Sequence, residues 1–173
     1  MARALSSALP IASALVILFM VLNILAGIAI LALLFLLPNR EWIIDALDIA
    51  KSPDIDKFVW GLRFIAGLGV VCVGINHMIL SRLRAMLKTV RQGDPFVADN
   101  AYRLQAIAWF LLGLQLLSLV IEAIGKSIAT TENPIHLSAG FSPAGWLAVL
   151  LTFVLARVFA EGTLMRRDLE GTV

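Results

Sequence analysis

The sequence predicts an all-α integral membrane protein, a bundle of four transmembrane helices. The chain of 173 residues is 60% hydrophobic and only 15% charged, far more apolar than a soluble domain needs to fill one core. Its apolar residues are gathered into four long runs with few charges. Because backbone groups in lipid must be hydrogen-bonded internally, each run is predicted to be a helix. The runs lack the strict alternation of a β-barrel.

The first run, residues 15–37, contains Asn23 as its only polar residue. It is longer than the apolar core of a signal peptide and is followed by no convincing cleavage site, so a retained helix is predicted. At about 1.5 Å per residue it can cross a hydrocarbon layer of roughly 30 Å. Three further spans are predicted at residues 58–80, 105–124 and 144–160, which makes residues 1–173 a single membrane domain.

Basic residues are divided unequally between the two ends of the predicted spans. Eight lie on the side of the two termini and the 81–104 loop, and four lie on the opposite side. Since positive charge is retained inside, this bias predicts that both termini and the loop are cytoplasmic. The eight are Arg3, Arg82, Arg84, Lys88, Arg91, Arg103, Arg166 and Arg167; the four are Arg40, Lys51, Lys57 and Lys126.

The stretch RQGDPFVADNAYRL, residues 91–104, predicts a helical hairpin turn between the second and third spans. Before it, apolar and basic residues occupy different faces, so the second span is expected to continue as an amphipathic helix beyond the membrane. Gly93 is placed to cap this helix, and Pro95 prevents its resumption. Residues 81–104 are therefore predicted to form a cytoplasmic hairpin extension.

Two groups of residues carry a family resemblance. Together with the four-span layout, they resemble a bacterial membrane family catalogued as domain of unknown function 2975. The resemblance implies a non-enzymatic protein of the bacterial cytoplasmic (inner) membrane. Many members are encoded beside a small helix-turn-helix regulator, which suggests a regulatory partner. The two groups are Gly93, Pro95, Phe96, Asn100, Arg103 and Leu104 in the turn, and Phe159, Gly162, Leu164 and Glu170 to Val173 in the tail.

The chain departs from the family pattern at Val97-Ala98, where members often carry Thr-Pro. A Thr hydroxyl accepts the free N–H groups at a helix start, and Val97 has no such oxygen. The third helix is expected to use Asp94, Asp99 or water for those donors. Asp99 also stands four residues before Arg103, a favourable order for an ion pair.

Polar and small residues share one face of the second span and one face of the third. Such a face lets another helix approach closely and shields polar groups from lipid. We predict an ion pair between Arg63 and Glu122, because an unpaired charge in a span costs about 2.5 to 3.5 kcal/mol. The pair would be a packing clamp or part of a ligand or ion pathway. The faces hold Arg63, Gly67, Val70, Gly74, His77 and Ser81, and Gln115, Ser118 and Glu122.

A polar belt is predicted near the inner surface, where Asn23, Asn76, His77 and Arg157 are expected at comparable depth, with Glu161 one turn further. Interhelical hydrogen bonding and snorkelling of the arginine are one explanation for such a belt. The alternative is a proton relay or a lipid headgroup site, since His titrates near neutral pH and Arg binds phosphate.

Glu41, Asp45 and Asp48 lie on one side of a short predicted helix outside the membrane. They are either a weak site for a hard cation or the solvated face of a helix lying on the membrane, with Trp42 at the interface.

No enzyme, metal or cofactor signature is found in the sequence. It has no glycine-rich phosphate loop, and its two histidines, His77 and His136, are predicted on opposite sides of the membrane. The single Cys72 excludes a disulfide framework. A net charge of +2 is too small to indicate direct nucleic acid binding.

The sequence therefore favours a non-catalytic regulatory or scaffold subunit in the lipid bilayer, with a cytoplasmic regulatory protein as its partner. The partner is expected to engage the basic hairpin and the tail. The same charges could instead hold anionic lipid, at about 1 kcal/mol each, or serve topology alone. The alternative function is a small transporter or channel, a homo-oligomer that uses the polar seam. The basic face consists of Arg82, Arg84, Lys88, Arg91 and Arg103.

Overall fold

The computed structural model describes residues 2–36, 55–129 and 140–170, and four α-helices run through them. All four helices are long and apolar enough to cross a membrane, so the predicted all-α fold is confirmed. The described residues contain no strand. The helices are α1 (Ala2–Leu36), α2 (Ile55–Arg91), α3 (Ala98–Ile128) and α4 (Pro143–Glu170).

The helices form an open row. Within the described residues, extensive contacts join only consecutive helices: α1 to α2, α2 to α3, and α3 to α4. In each apolar span, no more than 17% of the residues are buried inside the protein. Most of the apolar surface is therefore left for lipid or for other proteins, as expected where the solvent of the helices is itself apolar.

Two apolar clusters hold the row together. The first lies between α1 and α2, near the start of α2, and the second joins α2, α3 and α4 near the hairpin. Their positions set the register of the helices, because the first joins the end of α1 to the beginning of α2 and the second joins the end of α2 to the beginning of α3. The first contains Ile30, Leu34, Phe58, Val59 and Ala66, and the second contains Met86, Leu104, Ile107, Ala156 and Phe159.

The turn between α2 and α3 is closed by a Schellman cap. Gly93 has φ +84°, its N–H donates to the carbonyl of Val90 at 3.1 Å, and the N–H of Asp94 donates to the carbonyl of Thr89 at 3.1 Å. This pair of bonds satisfies the last carbonyls of α2, and the positive φ suits glycine. The predicted capping role of Gly93 is confirmed.

The two later helices begin differently. Val97 stands at the N-cap of α3 and makes no side-chain hydrogen bond there, as its lack of an oxygen predicts. At the start of α4, the hydroxyl of Ser142 accepts the N–H of Gly145 at 3.1 Å. Pro143 follows at the first helical position, where no donor is needed. The start of α4 is thus capped by a side chain and the start of α3 is not.

Candidate functional site

The centre of the hairpin is Asn100, whose side chain is fully buried. Its amide nitrogen donates to the hydroxyl of Thr89 at 2.6 Å and to the carbonyl of Pro95 at 2.9 Å. Its amide oxygen accepts from Arg103 at 2.8 Å, and Arg103 also bonds Asp99 at 3.3 Å. We call Thr89, Pro95, Asp99, Asn100 and Arg103 the hairpin cluster. Every hydrogen of the Asn100 amide is used, so this residue links both helices to the turn.

The tip of the hairpin packs on α4. The rings of Phe96 and Phe159 are 5.2 Å apart, and a Cβ at Gly162 would lie only 3.0 Å from Phe96. Arg166 binds Asp94 at the same place. Phe96 of the turn therefore meets Phe159 and Gly162 of the tail, three of the residues on which the family resemblance rests. Sequence reasoning missed this contact, because neither segment carries a signal that names the other. Residues 171–173, which also carry the resemblance, lie outside the described residues.

The structure divides the predicted basic face into two groups. Arg82 donates to the carbonyl of Met78 at 3.2 Å, and its guanidinium lies 4.6 Å from the ring centre of Phe110. Arg103 belongs to the hairpin cluster. Both residues are therefore engaged within the chain. By contrast, in the part of the chain that the structure describes, no acidic side chain pairs with the remaining three, which are Arg84, Lys88 and Arg91.

These three cations line a groove between α1 and α2, which we call the α1–α2 groove. Its volume is about 800 Å³. The sequence did not predict that α1 forms one wall of this groove, near Ser13, because residue spacing does not show which helix lies beside the basic face. No acidic residue lines the groove. Its lining consists of Ser13, Ile17, Ser81, Arg84, Ala85, Lys88, Arg91 and Gln92.

The predicted ion pair between Arg63 and Glu122 is not formed. Glu122 binds Lys126 at 2.6 Å, one turn further along α3. The guanidinium of Arg63 lies 5.1 Å from the ring centre of Trp60, one turn back on α2. A partner on the same helix is always within reach of a long side chain, whereas the spacing alone could not show whether the two helices present these faces to each other.

The polar face of α3 instead contacts the backbone before and within the first turn of α4. The hydroxyl of Ser118 accepts the N–H of Gly140 at 2.9 Å, and Gly140 has φ +117°. A side chain at Gly140 would collide with the carboxylate of Glu122, and one at Gly145 would collide with the amide of Gln115. Non-helical backbone among apolar helices needs such partners. The predicted shared face is therefore observed, with a different neighbour.

At Gly67 and Gly74 the predicted face of α2 is not covered by another helix of the described chain, whereas Ser81 lines the α1–α2 groove. A Cβ at Gly67 or Gly74 would meet no atom within 4 Å, and His77 is exposed. Asn76 beside it is also exposed. Spacing places residues on one face, but it does not say which face a neighbouring helix will cover.

The predicted polar belt is divided. Asn23 donates to the carbonyl of Val73 at 3.0 Å, an interhelical hydrogen bond of the expected kind. Arg157 binds Glu161 and follows Ala156, which packs with Met86 of α2. Met86 lies 13 residues after Val73, about 20 Å along the helix. Arg157 is therefore not at the depth of Asn23, because α4 is displaced toward the hairpin.

Other predictions fall outside the described residues, namely those for Glu41, Trp42, Asp45, Asp48 and His136. Within residues 2–36, 55–129 and 140–170, no three His, Cys, Asp or Glu side chains come close enough together to hold a metal ion. The strongest candidate site in the described residues is therefore the α1–α2 groove at the hairpin end.

Comparison with known proteins identifies a family. No curated protein and no solved structure matches the chain. The model of a family described as protein of unknown function (DUF2975) matches residues 46–173. This range includes α2, α3, α4 and both segments of the hairpin contact, and it leaves α1 outside. Because the match covers well over half of the chain, the chain belongs to the DUF2975 family of proteins of unknown function.

Proposed function

We propose that this protein is a non-catalytic membrane subunit with a regulatory or scaffold role, and that it binds an acidic segment of another protein in the α1–α2 groove. The observation that carries the proposal is that Arg84, Lys88 and Arg91 pair with no acidic side chain in the described part of the chain. They follow each other at spacings of four and three residues, so they share one face of α2. The groove lining contains no acidic residue that would neutralise them.

The contrast with the other basic residues of the hairpin end supports this role. Arg82, Arg103 and Arg166 are bound to carbonyls, to an aromatic ring or to carboxylates of the same chain. Such contacts stabilise the hairpin and leave less charge for a partner. The three cations of the α1–α2 groove have no acidic partner in the described chain and are available for an external carboxylate. Charge-assisted hydrogen bonds to carboxylates are among the strongest that side chains make.

The position of the groove favours a polypeptide over a lipid as the occupant. Arg91 lies 11 residues beyond Leu80, the predicted end of the second span, which is about 16 Å along the helix. Headgroups extend only roughly 5 to 8 Å beyond the hydrocarbon. The outer part of the groove is therefore in reach of a water-soluble chain, and six of its eight lining residues carry polar or charged side chains.

The competing hypothesis, a transporter or channel, would use the polar face of α3. Ser118 and Glu122 are engaged with Gly140 and Lys126, respectively, which favours a packing role for both. Flux into proteoliposomes that is lost in Glu122→Gln would favour transport and contradict the docking proposal.

Crosslinked co-purification from native membranes tests the proposal. The test variant carries Arg84→Gln, Lys88→Gln and Arg91→Gln. The matched control carries Arg84→Lys, Lys88→Arg and Arg91→Lys, which keeps the charge. A topology reporter on the C-terminus must give the same orientation for all three proteins, because these cations also influence insertion.

We expect a protein that co-purifies with the wild type and with the charge-conserving control, and that is lost from the neutral variant. Its recovery should fall as salt is raised, since exposed ion pairs are screened. Equal recovery with the neutral variant would contradict the proposal.

A further inference from the structure

We infer that a second groove, between the start of α3 and the second half of α4, binds an anionic phospholipid from the membrane leaflet on the hairpin side. We call it the α3–α4 groove; its volume is about 430 Å³. It lies on a different pair of helices from the α1–α2 groove and shares no residue with it. Its lining consists of Ala98, Ala101, Tyr102, Gln105, Phe153, Ala156, Arg157, Ala160, Thr163, Leu164 and Arg167.

Small side chains create this groove. Alanines line both walls, two on α3 and two on α4, so the surfaces of the helices are open to a thin apolar chain. Phe153 closes the end nearer the membrane centre, and its ring is fixed by an edge-to-face contact with Trp109 at 5.2 Å. The apolar part of the lining, from Phe153 along the four alanines, therefore matches an acyl chain.

Two arginines supply the charge. Arg157 and Arg167 line the same groove, ten residues apart on α4, and no acidic residue is among the lining. Arg157 also binds Glu161, which lies outside the lining, and the Arg157 side chain is 79% exposed. A guanidinium binds phosphate oxygens with two parallel hydrogen bonds, so Arg157 can hold a phosphodiester. Tyr102 and Gln105 add a hydroxyl and an amide as further donors.

The position of the groove across the membrane surface favours an amphiphilic ligand. Gln105 begins the predicted third span, and Phe153 lies within the predicted fourth span, whereas Arg167 lies beyond it. The predicted third and fourth spans thus place the Phe153 end of this groove at the edge of the hydrocarbon and the Arg167 end among headgroups or water. A free phosphate would use only the arginines, and an acidic peptide would leave the Phe153 end unfilled. A phospholipid with a net negative headgroup uses both.

The test is a titration of the purified full chain in detergent with phosphatidylglycerol or with phosphatidylcholine of the same acyl chains, with bound lipid counted by native mass spectrometry. We expect the wild type to bind phosphatidylglycerol at least about tenfold more tightly. In the variant with Arg157→Gln and Arg167→Gln, phosphatidylglycerol binding should weaken about 30-fold, at about 1 kcal/mol for each charge. Equal binding of the two lipids by the wild type would overturn the inference.

Three controls separate the groove from general attraction. Ala160→Leu fills the groove without changing charge, and it should weaken phosphatidylglycerol binding as well. Glu161→Gln removes the acid that competes for Arg157, and it should strengthen binding. The variant neutralised at Arg84, Lys88 and Arg91 should keep the difference between the two lipids. If that variant loses the difference and the Arg157/Arg167 variant keeps it, the inference is wrong.

Glycerol 3-phosphate distinguishes a lipid from a free phosphate. The soluble compound should not compete with phosphatidylglycerol at equal concentration, because it lacks the acyl chain that occupies the Phe153 end. Competition by glycerol 3-phosphate as effective as that by the lipid itself would show a phosphate site and overturn the lipid assignment.

Discussion

The hairpin end and the start of α4 differ in how fully their buried polar atoms are hydrogen-bonded. Both bring non-helical backbone against α3, and both use polar side chains of α3 as partners. At the hairpin, Asn100 is fully buried and its amide makes three hydrogen bonds. At the start of α4, Ser118 serves Gly140, yet Gln115 Oε1 and Trp146 Nε1 are buried and make no hydrogen bond with the described chain.

The difference shows where polar residues stabilise this membrane fold. A satisfied polar cluster fixes a turn in one conformation, whereas a buried polar atom without a partner lowers stability. We therefore expect the replacement of Asn100 and the replacement of Gln115 by apolar residues to change the free energy of unfolding by different amounts and in opposite directions. These effects are measured as shifts of the thermal unfolding midpoint in detergent.

The largest effect is expected for Asn100→Leu. The substitution removes all three hydrogen bonds of the buried Asn100 amide, although Arg103 keeps its bond to Asp99 and the Thr89 hydroxyl keeps its bond to the carbonyl of Met86. We expect the free energy of unfolding to fall by roughly 2 to 4 kcal/mol, and the midpoint by roughly 6 to 12 °C. Asn76→Leu is the matched control, because Asn76 is exposed and should change stability by less than about 0.5 kcal/mol. Equal midpoints for the two variants would refute the role assigned to Asn100.

An intermediate effect is expected for Gly140→Ala, and a smaller one for Gly93→Ala. Both glycines have positive φ, which costs an alanine about 1 to 2 kcal/mol. A Cβ at Gly93 meets no atom within 4 Å, whereas one at Gly140 collides with the carboxylate of Glu122. Because this carboxylate is the end of a flexible side chain and can move aside, Gly140→Ala should destabilise only somewhat more than Gly93→Ala.

A double-mutant cycle separates the two causes. In a Glu122→Ala background the collision is absent, so Gly140→Ala should cost about as much as Gly93→Ala. If the cost of Gly140→Ala is unchanged in that background, the carboxylate is not the obstacle.

The smallest effect is expected for Gln115→Met. Methionine is similar in length and removes the buried oxygen that has no hydrogen-bond partner in the described chain. Replacing such a group by an apolar one is close to neutral, so we expect a change between zero and a gain of about 1 kcal/mol. A loss of more than about 1 kcal/mol would show that Gln115 Oε1 has a partner, and would remove the difference between the two regions.

Features that depend on a few neighbouring residues agree with the sequence predictions. The cap at Gly93, the missing cap at Val97 and the ion pair between Asp99 and Arg103 all involve groups no more than five residues apart. Their geometry is set by the local backbone, so turn and helix rules are enough to predict them.

Features that depend on a neighbouring helix could not be predicted from local sequence rules. Glycines at 67 and 74 were predicted to receive a neighbour, and the structure leaves them open. Gly27 instead approaches α2, where a Cβ would lie 3.0 Å from Val73. The repeat of a helix gives the angular position of each residue about its own axis, but it does not identify the helix that packs there.

The sequence by itself determined that this chain has four membrane-capable helices, a capped turn between the second and third, and an excess of basic residues at the hairpin end. Only the tertiary structure decided that Phe96 meets Gly162, that Glu122 faces Gly140, and that three of the hairpin cations line a groove with α1. The physical reason is that hydropathy and capping act within a helix, whereas axial register is set by how small and large side chains fit between helices.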